Sequence, residues 1–566
     1  MLLQRVTAVP GLVVVRLVDD FSKLTAKAKT GVVLAVIFFT YLMFASSSPH
    51  SAGGGQANLG GPQASAAQQN IKVLTWNLAA INNNPFEYWL TLSNEPKYDL
   101  LMNSVEKFIQ STKHAKDQAI GKLFPESYFE QLMEKLQEHV PSVTPEQVSV
   151  VRGMYVDDWS KRLMISGFLK DPIIGKKRLV SMPDRMTNTL QFTSIPTLYR
   201  PTSINCYSGT FSSLGDWYSK WLNFMFDTKL EDGQTSPVQL LKRIPRQKYP
   251  DLTEQEEQVS IPLQVLLLAV FDAIQIRVLN QVSIEKWHSV EDWQVLRNTI
   301  CDNLNFKKND RTVEILSKSY ADADVLFLQE ASETFMSQAQ SDFGTKFHII
   351  ANFDKPSSSD QNSMILLSKR YFTWFQLDPS VDVPGGVVAD GDLLVARAKD
   401  LMGRSYLLAS FHGDTNGLAT IPTLDAVVAH WNKRDRLVFG MDGNTYENPT
   451  LGPGYQNFDA FVQHFTLKHQ LESCWGENPT PEKHTTRNAR TFMQPQLAKA
   501  ASQNQIVERG DANPKDFILF SPKQYQGKLT GRDNTGKGTF VQNMVFPTLD
   551  FPSDHAIVRV VLEGVK

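Results

Sequence analysis

The chain has 566 residues, too many for one ordinary single-core domain, so two or three folded units are expected. Apolar residues make up 42% and charged residues 20%, the balance of a folded globular protein and not of a disordered one. A formal charge of −2 excludes an overall pull toward nucleic acid and leaves only local anion sites; three distant cysteines, Cys206, Cys301 and Cys474, form neither a zinc spacing nor a disulfide framework, and their odd number points to free thiols.

Residues 31–45 (GVVLAVIFFTYLMFA) carry no charge, and with Thr30 and the serines at 46–48 they reach the lower length limit of a membrane-spanning helix, about 17 residues. The alternative is the apolar region of a cleaved signal peptide, for which the thirty residues ahead of it make a long head. Arg5, Arg16, Lys23, Lys27 and Lys29 precede the run, and no Lys or Arg follows it before Lys72. That asymmetry predicts a single-pass anchor with its N-terminus in the cytoplasm and the body of the protein on the lumenal or extracellular side. Residues 46–70 are rich in Gly, Ser, Ala and Gln without apolar periodicity and read as a flexible tether.

Residues 71–78 (IKVLTWNL) have strand composition. From about residue 85 to 308 the chain is amphipathic and helix-like, with apolar residues three and four apart over 104–120, 125–138 and 144–168. Its most apolar piece, 262–280, is interrupted by Gln264, Asp272, Gln275 and Arg277, so a buried helix is expected there and not a second membrane span. From Ala323 the pattern changes to short apolar runs at 324–328, 363–368, 393–398, 405–411, 436–441, 516–520 and 556–562, with helical stretches at 333–340 and 420–431. Many strands with fewer helices predict an α/β fold, two sheets packed face to face with helices outside. A Pro/Gly-rich loop is expected at 378–392 and a glycine- and lysine-rich hairpin or loop at 527–538.

Polar residues stand at the ends of these runs: Thr75-Trp76-Asn77, Gln329-Glu330, His412-Gly413-Asp414, Asp442-Gly443-Asn444, Asp516, and Ser553-Asp554-His555. They supply four carboxylates (Glu330, Asp442, Asp516, Asp554), two amides (Asn77, Asn444) and two imidazoles (His412, His555). Hard oxygen donors without thiolates suit Mg²⁺ or Mn²⁺ and not structural zinc, and Glu330 helped by Asn77 would suffice for Mg²⁺. A cation, a base and hydrogen-bond donors are what an in-line phosphoryl displacement by water requires.

The ordered set TWN, QE, HGD, DGN, DF and SDH resembles the endonuclease/exonuclease/phosphatase superfamily, over residues 71–84 and 323–566. The resemblance implies a pancreatic-deoxyribonuclease-like fold and Mg²⁺-dependent hydrolysis of phosphate esters. It implies Glu330 as main metal ligand with Asn77 beside it and Asp554 nearby, Asp442 acting on the attacking water, and Asn444 holding phosphate and water. His555 would contact the phosphate, oriented by Asp516, and His412 would lie on the leaving-group side. Two departures stand out: Met441 occupies the position where the family has glycine, with Gly440 one earlier, and the insertion after the first strand is far longer than usual. The aromatic-Arg pattern of inositol phosphatases is missing after Asn444.

The chain is therefore read as a cytoplasmic segment (1–30), a transmembrane signal anchor (31–48), a linker (49–70), the first strand of a phosphoesterase domain (71–84), a helical insertion (85–312) and the rest of that domain (313–566). The expected substrate is a phosphodiester, a nucleic acid or lipid headgroup being the narrower alternatives; the rival reading is a non-enzymatic scaffold with a relic site. Residues 483–490 (KHTTRNAR) are either a polar surface loop or, through His484, Arg487 and Arg490, phosphate contacts.

Overall fold

The computed structural model describes residues 70–565, apart from 94, 112–115, 193–195, 355, 448–453 and 498–510, together with the backbone of two short antiparallel strands, Thr7–Val9 and Leu12–Val14. The expected membrane anchor and most of the tether lie outside the described residues.

Two six-stranded sheets build the sandwich. Its principal strands, in chain order, are β1 (Ile71–Asn77), β2 (Val325–Ala331), β3 (Phe347–Ile350), β4 (Asn362–Ser368), β5 (Phe372–Leu377), β6 (Leu393–Asp400), β7 (Ser405–His412), β8 (Arg436–Asp442), β9 (Glu472–Ser473), β10 (Asp516–Phe520), β11 (Tyr525–Asp533) and β12 (Ile557–Gly564). The first sheet runs β11-β12-β1-β2-β4-β3 and the second β9-β10-β8-β7-β6-β5. Each has one parallel pair at its heart, β1 with β2 and β7 with β8, among antiparallel neighbours.

Strand alternation explains the layers. Ile71 and Val73 of β1, Val325 and Phe327 of β2, Leu408 of β7, Val438 of β8 and Ile518 and Phe520 of β10 fill the space between the sheets. Their sequence neighbours point outward: Leu74, Trp76, Leu326 and Leu328 pack against the helices Lys308–Ser319 and Glu333–Phe343, while Leu437, Phe439 and Met441 pack against Thr420–His430 and Phe458–Gln463. The sheets approach closely at Gly440, where a Cβ would stand 2.3 Å from the Phe327 ring. The glycine displaced by one position is thus held by inter-sheet packing, and Met441 serves the outer layer.

Between β1 and β2 the chain forms a helical bundle around Ser260–Trp287, which is buried along most of its length; the helix over 262–280 is a core helix, as expected. Helices Pro96–Ser111, Glu126–His139, Pro145–Asp157, Leu214–Leu222 and Asp292–Cys301 surround it. The one helix expected over 104–120 is instead Pro96–Ser111 followed by a separate turn, Ile120–Leu123, and the stretch from Thr144, capped through Gln147, ends at Asp157. At the centre of the bundle Arg200 is fully buried, its Nε donating to Asp272 Oδ2 at 2.9 Å and its Nη2 to Asp184 Oδ1 at 2.6 Å. Thr202 and Trp221 complete the donors to Asp272.

The cysteine expectation is corrected. Cys206 and Cys301 are disulfide-bonded, and Cys474 is the buried free thiol. The bundle brings the pair together across 95 positions, to a Cα–Cα distance of 5.4 Å, a pairing that linear spacing does not reveal.

Candidate active site

The site is built where inward-facing strand positions turn from apolar to polar. Along β1 the inner face reads Ile71, Val73, Thr75, Asn77; along β7 it ends Leu408, Ser410, His412; along β8, Val438, Gly440, Asp442; and β10 opens with Asp516 before Ile518. Strand pairing then aligns them: His412 is opposite Asp442 in the parallel β7–β8 ladder, and Asp442 is opposite Asp516 in the antiparallel β8–β10 ladder. In the other sheet Asn77 pairs with Gln329, beside Glu330. Below this rim the sheets are tied by Gln329, which donates to Ser410 Oγ at 3.0 Å.

Asn77 joins the two halves. Its Nδ2 donates to Glu330 Oε1 at 2.8 Å and to Asp442 Oδ2 at 2.9 Å, while its Oδ1 accepts from the Ala79 N–H at 2.8 Å. In this arrangement Asn77 orients the carboxylates through its nitrogen and keeps its oxygen turned to its own backbone. Glu330 sits at a register shift between β2 and β4 with φ +53°; Ala79 and Asn444 also hold positive φ, at 57° and 44°. Backbone bent in this way aims side chains that a regular strand would point elsewhere. Glu330 Oε2 accepts from the Ala80 N–H at 2.6 Å and from Gln361 at 3.3 Å. Burial would raise the Glu330 pKa, but the His412 imidazole, the Asn77 amide and His555 hold it well below the usual carboxylate range.

His412 lies between two acids, its Nε2 3.1 Å from Glu330 Oε1 and its Nδ1 3.2 Å from Asp392 Oδ1. Burial opposes its charge, but Glu330, Asp392 and Asp442 hold its pKa well above the ordinary value. His555 has Nδ1 3.0 Å from Asp516 Oδ2 and Nε2 3.6 Å from Asp442 Oδ2. There too burial is outweighed, by Asp516 and Asp442, and the imidazole is pushed up to about 10. The backbone N–H of Asn444 donates to Asp442 Oδ1 at 2.9 Å, and its side-chain nitrogen donates to Gly413 O at 2.8 Å.

Seven of the eight expected residues are thus linked by direct contacts. The eighth, Asp554, is half-buried, lines the same cavity as Glu330, and has no hydrogen bond or ion pair among the described residues. Two carboxylates facing one cavity, one of them without a partner, fit a hard divalent cation; the groupings of Glu330 with His412 and Asp442, and of Asp442 with Asp516 and His555, also have ligand atoms within 4.8 Å of one another. The 483–490 loop borders the site. His484 pairs with Glu447 at 2.7 Å and the Arg490 guanidinium lies 5.4 Å from the Tyr88 ring, whereas Thr485 Oγ1 accepts from the Asp516 N–H at 3.1 Å and Thr486 bridges to His555.

Sequence reasoning missed three polar residues here. Asp392 holds His412; Lys515, buried, donates to Asn444 Oδ1 at 2.9 Å; and Lys308, buried, donates to the carbonyls of Leu78 and Pro552 at 2.9 and 2.6 Å. Lys515 directly precedes Asp516, a signal available in the sequence; Lys308 opens a helix and carries none. Burial pushes the Lys308 pKa down to about 8 against the pull of Asp554 and Glu330.

No curated protein matches the chain. A family model described as a domain of unknown function (DUF8234) matches residues 117–292, within the helical insertion. Among solved structures, a humanized D. rerio TDP2 is 14% identical with a TM-score of 0.31, covering 46% of this chain and 95% of that one. An endonuclease/exonuclease/phosphatase from Bacteroides vulgatus is 13% identical with a TM-score of 0.32, covering 45% and 90%. The human Nocturnin catalytic domain with bound sulfate anion is 12% identical with a TM-score of 0.31, covering 45% and 87%.

Proposed function

We propose that the rim of the sandwich is the centre of a metal-dependent phosphoester hydrolase acting by in-line attack of water. The observation that carries this is Asn77, whose one amide nitrogen bridges Glu330 of the first sheet and Asp442 of the second, with the Asp516–His555 pair adjoining. Glu330 and Asp554 would hold a divalent cation, Mg²⁺ or Mn²⁺, which when bound supplies neutralisation of charge on the phosphate oxygens. Asp442, fixed by Asn77 and the Asn444 N–H, orients the attacking water and accepts its proton. His555, kept cationic by Asp516, presents Nε2–H to a non-bridging oxygen, where charge grows in the transition state. Lys515 and Gly413 fix the Asn444 amide next to Asp442, and His412 holds Glu330 in place.

An insertion filling the site would favour the scaffold alternative; a cavity of about 790 Å³ is left between them, which supports the enzymatic reading. The test is hydrolysis of bis(p-nitrophenyl) phosphate by the chain from Ile71 onward, with Mg²⁺ or chelator, in wild type and Glu330→Gln. Turnover abolished by chelator and by the substitution is expected; turnover indifferent to both rejects the proposal.

We also infer that residues 31–48 anchor the enzyme with its catalytic body on the lumenal or extracellular side. The charge-free run and its flanking basic residues support this, and the Cys206–Cys301 disulfide fits an oxidising compartment. Protease protection on sealed membranes tests it: the body should be shielded, and digestion from the cytoplasmic side contradicts it.

A further inference from the structure

The cavity that begins at the proposed catalytic carboxylates is walled by both parts of the chain. The sandwich contributes Ala80, Glu330, Gln361 and Asp554, and the insertion contributes Arg185, Asn188 and Asn305 together with the Cys206–Cys301 disulfide. Its volume of about 790 Å³ falls in the range of sites for one small ligand, roughly 300–1,000 Å³.

The wall chemistry narrows what fits. Of its charged residues four are carboxylates (Glu87, Asp184, Glu330, Asp554) and two are cations (Arg185, Lys308). Setting aside the two carboxylates assigned to the metal leaves a balanced wall, with Asp184 already engaged by the buried Arg200. A nucleic-acid strand needs a row of cations for successive phosphates, and this wall has none. It has amides instead: Asn82, Asn83, Asn84, Asn188, Asn305 and Gln361. Several of these are held rigid. Asn305 Nδ2 donates to Asn83 Oδ1 at 2.8 Å and Tyr199 donates to Asn305 Oδ1 at 3.1 Å, while Asn83 Nδ2 donates to Thr189 Oγ1 at 2.7 Å. Asn188 is half-buried, and its side-chain amide makes no hydrogen bond among the described residues, so its donors and acceptor are unspent. A fixed wall with free amide capacity binds hydroxyls or amides at little ordering cost.

Resting on the phosphoesterase reading, we propose that this cavity is the specificity pocket of the enzyme and that the insertion makes it one. It receives the second group on the phosphate, a compact, neutral, hydrogen-bonding group such as a polyol, with Asn188 as its specificity-determining residue and Asn305 as a positioning residue that holds the wall through Asn82 and Asn83. A polyanionic strand is excluded.

The test uses two substrates with the same leaving group, the p-nitrophenyl phosphodiester of glycerol and bis(p-nitrophenyl) phosphate, with wild type, Asn188→Ala and Asn305→Leu. Asn188→Ala should lower the ratio of kcat/KM for the glycerol ester over the aryl ester by about fivefold to tenfold, the worth of one or two hydrogen bonds, and Asn305→Leu should lower it less, by loosening the wall around Asn83. A twelve-nucleotide single strand added at equal phosphate concentration should leave turnover of the glycerol ester unchanged. Asn188→Ala removes no hydrogen bond to the protein, so it reads the pocket even where Asn305→Leu loosens the wall. Metal-dependent turnover with an unmoved ratio, or efficient competition by the oligonucleotide, overturns the pocket assignment alone. Absence of metal-dependent turnover on both esters overturns the phosphoesterase reading and this assignment with it.

Discussion

The sandwich and the helical insertion both bury charge, and they bury it differently. In the bundle, Arg200 meets Asp184 and Asp272, and Thr202 and Trp221 donate to Asp272, so each group finds partners and the set closes on itself. At the sandwich rim the acids Glu330, Asp442, Asp516 and Asp554 crowd around two imidazoles, the backbone is bent at Glu330 and Asn444, and Asp554 has no partner among the described residues. A closed ionic set stabilises one packing; a crowded, incompletely paired one is poised for a ligand. The contrast separates the self-contained polarity of the bundle from the incompletely paired polarity of the rim, where the catalytic proposal is placed.

Substitutions should therefore act on different observables in the two regions. The largest effect is expected at the rim: Asp442→Asn should lower kcat for bis(p-nitrophenyl) phosphate by roughly 10³–10⁴, the worth of a general base and its fixed water, with an unchanged circular dichroism spectrum. Next comes the bundle, where Asp272→Asn leaves Arg200 short of charge; a loss of about 3–5 kcal/mol by denaturant unfolding is expected, with kcat of the folded fraction near wild type. A large kcat loss without loss of stability at Asp272 would erase the distinction.

Lys308, at the junction of the two regions, sharpens it through pH. Its folded pKa of about 8 lies below the ordinary 10.5, so the unfolded chain binds more protons between those values and stability rises with pH across that window. Relative to Lys308→Met, wild type should gain at most roughly 3 kcal/mol from pH 8 to 10.5. The smallest effect is a shift of profile. On the proposed role His555 acts protonated, and Asp516 raises it, so activity should fall as pH climbs through its pKa, and in Asp516→Asn that alkaline fall should move to lower pH. An unmoved alkaline limb would separate His555 from the reaction.

Much of the rim was legible because the two-residue period of a strand can be followed past its apolar end. Val438, Gly440 and Asp442 share one face, as do Leu408, Ser410 and His412, so a polar residue appears where the core pattern calls for an apolar one. Less legible were β3, β5 and the sheet role of β11: Phe372–Leu377 is largely exposed beyond its first residue, and Tyr525–Asp533, overlapping the hairpin or loop expected at 527–538, is an edge strand with a register shift. Edge strands lack the two-sided burial that marks a central one. Contacts across long sequence separations were hidden altogether. Lys308 reaches the site only because the insertion returns its chain to the first sheet, and Cys206 meets Cys301 only through the bundle. The orientation of the Asn77 amide, its nitrogen toward Glu330 and Asp442 and its oxygen toward the Ala79 N–H, is likewise a property of the fold and not of composition.

The most direct measurement is Mn²⁺ titration of the chain from Ile71 onward, following bound ion by electron paramagnetic resonance and phosphodiester turnover in the same samples. One site whose occupancy rises in step with turnover in wild type, and which is lost along with turnover in Glu330→Gln, is the predicted result. Full turnover at zero occupancy, or an intact site in Glu330→Gln, would contradict it.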